Sequence, residues 1–136
     1  MVDALHEAHR VLAPRGLLVD ARPDSRVLAH AEHVTPRGHR GIGTIKTARA
    51  ELSNDRASDR AIARVVRDGL FRSRRRGRFW HRVPFEDLDA LVQYLREHLR
   101  FEHRARWKIG AAARREIAND RFTIRRAVRY ELLDRT

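Results

Sequence analysis

The chain has 136 residues and a formal charge of +12, with 30 basic against 18 acidic side chains and no cysteine. That length allows one domain with a modest core, residues 1–136, and the lack of thiols excludes disulfides and thiolate metal sites. The aliphatic run Leu17-Leu18-Val19 falls far short of the roughly 20 apolar residues that cross a bilayer, and the acidic Asp3 and Glu7 argue against a secretory leader, so the expected setting is the cytoplasm, without a membrane.

Met1, Ala4, Leu5, Ala8, Val11 and Leu12 recur at helical spacing, with Asp3, His6, Glu7, His9 and Arg10 on the other side. Pro14-Arg15-Gly16 ends this helix and turns the chain. Leu17 to Ala21 is a short apolar run that reads as a strand covered on both faces. Arg26 to Val34 and Ile42 to Leu52 read as extended segments around the turn-rich TPRGHRG, giving a long hairpin; Ala48 to Leu52 also suits a helix.

Ser53-Asn54-Asp55 is a helix start signal, followed by the apolar face Ile62, Val65, Val66, Gly69 and Leu70. Gly77 is expected to break the chain before a strand from Arg78 to Phe85. Phe79, His81, Val83 and Phe85 would share one face of it and Arg78, Trp80 and Arg82 the other, with Pro84 marking an edge or an end. Leu88, Leu91, Val92, Leu95 and Leu99 mark a third helix. Ile109, Ala112, Ala113 and Ile117 mark a short fourth near Ile109 to Ala118. The last strand alternates Phe122, Ile124, Val128, Tyr130 and Leu132, interrupted by Arg126. No internal repeat or low-complexity linker appears, and the expected class is α+β, helices packed on a small mixed sheet with a hairpin and an antiparallel C-terminal strand.

The stretch EAHRVLAPRGLLVD, Glu7 to Asp20, resembles a segment of class I S-adenosylmethionine-dependent methyltransferases. That segment has a Glu, then Arg-Val-Leu, then a Pro-Gly-Gly turn into the fifth strand of the sheet. Glu7, Arg10-Val11-Leu12, Pro14 and Gly16 match it. Arg15 stands where the family usually has glycine, so Gly16 is expected to take the left-handed position. The resemblance implies the C-terminal half of a Rossmann-like fold, in which a final antiparallel strand slots between strands five and six. AIARVVRDGLFRSRRRGRFWHRVPFEDLDALVQYL and RFTIRRAVRYELL suit the later roles.

The cofactor the resemblance implies is S-adenosylmethionine, but the glycine-rich turn and acidic residue that hold it in that family belong to its first strands. The cluster Gly38, Gly41 and Gly43 follows the wrong kind of segment and reads as a hairpin loop. The expectation is a methyltransferase-like protein incomplete or inactive alone, with no cofactor bound in the family manner. It would be a remnant, a half that pairs with a separately encoded N-terminal half, or a gene model begun at an internal methionine. Strand Leu17 to Ala21 would then need a cover for its free edge, either the Arg26 to Leu52 hairpin or the same strand of a second copy in a homodimer.

Other candidates rest on the residues alone. Asp20, Arg22 and Asp24 follow the first strand at the edge where open α/β sheets bind ligands, with His81 as a candidate base; a charged turn with ordinary caps explains the same residues. FRSRRRGRFWHR is the densest basic stretch. As an RNA- or DNA-binding loop, Arg72 to Arg82, it would use Arg74, Arg75, Arg76 and Arg78 on phosphates and Trp80 as a stacking ring. A solvated loop leading into a strand is the competing reading. Lys46 and Lys108 are the only lysines, so 28 of the basic residues are arginine; that bias, spread from Arg10 to Arg135, explains the charge without a designed phosphate site. His6 with His9 and His30 with His33 lack the further ligands a metal needs and read as exposed histidines.

Overall fold

In the computed structural model residues 1–46, 49–102, 106–109 and 120–136 are described. In chain order the elements are α1 (Val2–Val11), β1 (Leu17–Pro23), β2 (Ala29–Thr35), β3 (Gly38–Lys46), α2 (Arg49–Arg67), β4 (Phe71–Phe85), α3 (Leu88–Glu102), β5 (Arg106–Ile109) and β6 (Phe122–Arg135). The class is α+β, as expected. The pairings β1–β6, β2–β3, β2–β6 and β3–β5 are all antiparallel where a mixed sheet is expected, and β4 also pairs with β6. Contacts gather into two compact units, one of Met1–Asp24, Ala50–Phe79 and Val128–Thr136, the other of Ser25–Arg49 and Trp80–Ala127.

In the first unit β1 runs against the C-terminal part of β6, Leu17 opposite Asp134 and Pro23 opposite Val128. The core is Leu5 of α1, Ala61, Ile62 and Val65 of α2, Phe71 of β4 and Leu133 of β6, with Val2, Leu12, Leu18, Val66 and Leu70 packed on it. Ile62, Val65 and Val66 form the α2 face that the spacing predicts, but the helix ends at Arg67, so Gly69 and Leu70, expected on that face, lie in the cap that follows it. The α1 face is rotated by about one residue: Val2, Leu5 and Leu12 face inward, while Met1 and Val11 are exposed. Burial on both faces of β1 is overturned. Leu18 packs inward, but Val19 is 55% and Leu17 43% exposed, because the helices cover one face only. The alternation in β6 is also shifted, since Leu133 rather than Leu132 is fully buried.

Two turns show why particular residues are used. Gly16 N–H donates to the Ala13 carbonyl at 2.8 Å, with Pro14 and Arg15 between them and Arg15 at φ 62°. This is the layout of a type II turn, Pro at its second position and a left-handed residue at its third. The assignment of the left-handed position to Gly16 is therefore corrected: Arg15 takes it, and Gly16 is needed because a Cβ there would lie 2.7 Å from the Ala13 carbonyl oxygen. Arg15→Gly is expected to leave stability unchanged or raise it by up to about 1 kcal/mol, as relieved strain offsets added chain entropy. Gly16→Ala should lower it by about 1–3 kcal/mol; urea unfolding of both variants checks the pair. At the end of α2, Leu70 N–H bonds Val65 C=O at 3.0 Å and Gly69 N–H bonds Val66 C=O at 3.1 Å, with Gly69 at φ 75°, the Schellman arrangement.

β4 runs unbroken from Phe71 to Phe85, so Gly77 does not end it and the Arg72 to Arg82 segment is strand, not loop. A Cβ on Gly77 would meet the Tyr130 ring at 2.6 Å, so the glycine makes room for an aromatic lid over the strand. Ser53-Asn54-Asp55 lies inside α2, which starts at Arg49.

In the second unit β2 and β3 form a hairpin whose turn is only Pro36-Arg37, Thr35 opposite Gly38. Gly38, Gly41 and Gly43 belong to β3 rather than to a loop. The register shifts between Ala31 and Glu32, so Ile42 bulges, and both Ile42 and Ile45 reach the core. That core is Ala31, Leu88, Leu91, Leu95, Ile109, Phe122 and Ile124, and Leu88, Leu91, Val92 and Leu95 of α3 face it as expected, while the side chain of Leu99 lies outside the described residues. Ile109 closes β5, and the rest of the expected fourth helix lies outside the described residues. The hairpin pairs with β6 through His30–His33, not with β1, which removes it as a cover for the β1 edge.

Candidate functional site

Asp20 and Arg22 project from the same side of β1, two residues apart, and meet at 2.8 Å. Arg22 also reaches Asp59 of α2 at 3.3 Å, and Asp59 accepts from Arg129 of β6 at 2.5 Å. Arg129 further donates to the Asp55 carbonyl at 3.3 Å. Asp24, whose side chain is fully buried, takes both Nε and a terminal nitrogen of Arg78, at 3.0 and 2.7 Å. The strand-end candidates are thus brought together with guanidinium partners, and Arg78 of the basic stretch is tied to one of them. This arrangement locks side chains in place; it presents no carboxylate pair poised for proton transfer. His81 is exposed on β4 and belongs to the second unit.

Five of the six arginines of β4, at the even positions 72, 74, 76, 78 and 82, each meet a carboxylate. Arg72 and Arg74 flank Asp134 at 3.4 and 3.9 Å, Arg76 meets Glu131 at 2.9 Å, and Arg82 meets Glu32 at 2.9 Å. Arg75 is exposed and, among the described residues, carries no ion pair. Much of the positive charge in this stretch is therefore already opposed, and the phosphate-tracking row foreseen for Arg74, Arg76 and Arg78 doubles as a ladder that ties β4 to its neighbours.

In the second unit two cross-strand rows form on one sheet face. His30 stands opposite Arg125 and Glu32 opposite Thr123 in the β2–β6 register. The Arg125 guanidinium lies 4.4 Å from the centre of the Trp80 ring, and the His30 ring is edge-on to Trp80 at 6.3 Å. Glu32 is buried and meets Arg125 at 3.0 Å as well as Arg82, and Thr123 Oγ1 donates to it at 3.4 Å. Trp80 remains 43% exposed. No protein-family model, curated protein or solved structure matches the chain.

Sequence reasoning missed Glu32, Arg125, Arg129 and Asp59. The one available signal was the Arg125-Arg126 pair interrupting an otherwise apolar alternation in β6. The reading of the histidines as exposed holds for His6 alone. His9 packs edge-on against Phe71 at 5.5 Å, and His30 is half-buried. His33 is buried, with Nε2 2.9 Å from Asp120 and its ring against Phe122. These histidines fill sheet and core positions that a pattern of exposed pairs does not anticipate. Among the described residues no group of side chains is arranged to hold a metal, and no helix is long and apolar enough to cross a membrane.

Proposed function

We propose that the chain is a methyltransferase-like C-terminal half, cytoplasmic and catalytically incomplete alone, that works joined to another sheet through β1, as a remnant or a partner half. The observation that carries this reading is the helix–Pro-Arg-Gly–strand unit whose strand lies antiparallel to the last strand of the chain along seven residues. The resemblance in Glu7 to Asp20 asks for that neighbour, and β4 on β6 suits the sixth-strand role. Supporting the joining step, the other edge of β1 carries no strand among the described residues, and Leu17 and Val19 are exposed beside it. Such an edge invites a further strand. Its occupant in this reading is β1 of a second copy, a two-fold pairing; a separately encoded N-terminal half is the other occupant the resemblance implies.

Titration calorimetry with S-adenosylhomocysteine is expected to show no micromolar binding to the chain alone, and light scattering a mass twice the 15.9 kDa of the chain. Micromolar binding would overturn the incompleteness and place S-adenosylmethionine back as a resident cofactor. A monomer would remove the two-fold pairing in favour of the separate half.

A second reading, an RNA- or DNA-binding module using Arg72 to Arg82, is supported by the exposure of Trp80 on a basic sheet face. Arg74→Gln with Arg75→Gln should flatten the dependence of binding on salt, Arg75 being exposed and without an ion pair among the described residues.

A further inference from the structure

We propose that the sheet face of the second unit bearing Trp80, Arg125, His30 and Arg82 is a stacking platform for single-stranded nucleic acid. The inference rests on the nucleic-acid reading and gives it a different centre, the β2–β6–β4 face instead of the run of arginines. Its parts fit the two demands of a single strand, a flat ring for a base and cations for the phosphates beside it. Trp80 supplies the ring. Arg125 lies 4.4 Å from the ring centre and holds the indole in place, and a base stacks on the face that the guanidinium leaves.

Arg125, over the ring, and Arg82, two residues along β4 from Trp80, are 31% and 40% exposed at their side chains. The carboxylate that anchors both, Glu32, is buried beneath them, so it orients the cations without facing the ligand. The opposite face of the same strands carries Ala31 and Ile124 into the core against α3, which leaves the platform on the face that the core does not use. Duplex is disfavoured as a ligand because its bases are already stacked and cannot reach Trp80.

The test titrates the full chain with fluorescein-labelled oligo-dT and oligo-U, and with a duplex competitor, at low salt. Single strands are expected to bind and to quench tryptophan emission. Trp80→Ala should weaken binding about 10-fold. Trp80→Phe should restore it to within about 3-fold while abolishing the part of the quenching that belongs to Trp80. Arg82→Gln should lower the salt slope by about one. Preference between dT and U distinguishes DNA from RNA as the source of the strand. Binding that Trp80→Ala leaves unchanged, with folding verified by circular dichroism, overturns the platform and leaves the arginine run as the site. Duplex binding as tight as single-strand binding, without quenching, does the same. Absence of binding by every oligonucleotide at low salt overturns both readings.

Discussion

Glu32→Gln is expected to destabilise the protein by about 2–4 kcal/mol, a large loss for one carboxylate oxygen. Its side chain is 6% exposed and meets Arg82 at 2.9 Å and Arg125 at 3.0 Å, with Thr123 Oγ1 at 3.4 Å. An amide keeps the volume but removes the charge, and it turns an –NH2 toward a guanidinium, so donors face donors in a place where water is scarce. The two arginines are partly exposed and regain some hydration by turning outward, which keeps the loss below that of a wholly buried pair. Arg82→Gln should cost less, about 1 kcal/mol, since the carboxylate keeps Arg125 and Thr123. Urea unfolding at neutral pH measures both. Equal effects of the two substitutions would show that Glu32 is not the shared anchor.

What the sequence made legible follows the range of the interactions involved. The apolar faces of α2 and α3 are readable because they recur every three to four residues, whereas Gly69, expected on the apolar face of α2, instead caps its end with a positive φ. The Pro14-Arg15-Gly16 turn was readable as a turn. The role of Gly16 is not legible there, because a close approach to the Ala13 carbonyl leaves no mark in composition. Gly77 reads as a break in the sequence because its reason for being glycine, the Tyr130 ring, lies on a different strand. The basic stretch was plain as a charge run, yet Asp134, Glu131, Asp24 and Glu32 reach it only through strand pairing, and nothing near Arg72 to Arg82 announces them. His33 reads as exposed for the same reason: Asp120 and Phe122 come to it from the far end of the chain.

The register of β6 carries the other large expected effect. Leu133→Ala should cost about 3 kcal/mol, and Leu132→Ala less than about 1 kcal/mol of folding stability. Strict alternation from Phe122 and Ile124 points to Leu132 as the core residue, but Leu133 is the one fully removed from water, among Leu5, Ile62, Val65 and Phe71. The β1 register agrees. Leu18, opposite Leu133, packs on the same core, while Val19, opposite Leu132, is exposed. A large loss at Leu132 with none at Leu133 would mean that β6 pairs one residue out of this register, which would turn every side chain of the strand to the other face. The same pair of variants also probes the proposed two-fold joining at β1. If a second copy covers the face of Leu17, Val19 and Leu132, Leu132→Ala should weaken self-association, lowering the dimer mass seen by light scattering on dilution. Leu133→Ala should instead lower the unfolding midpoint at every protein concentration.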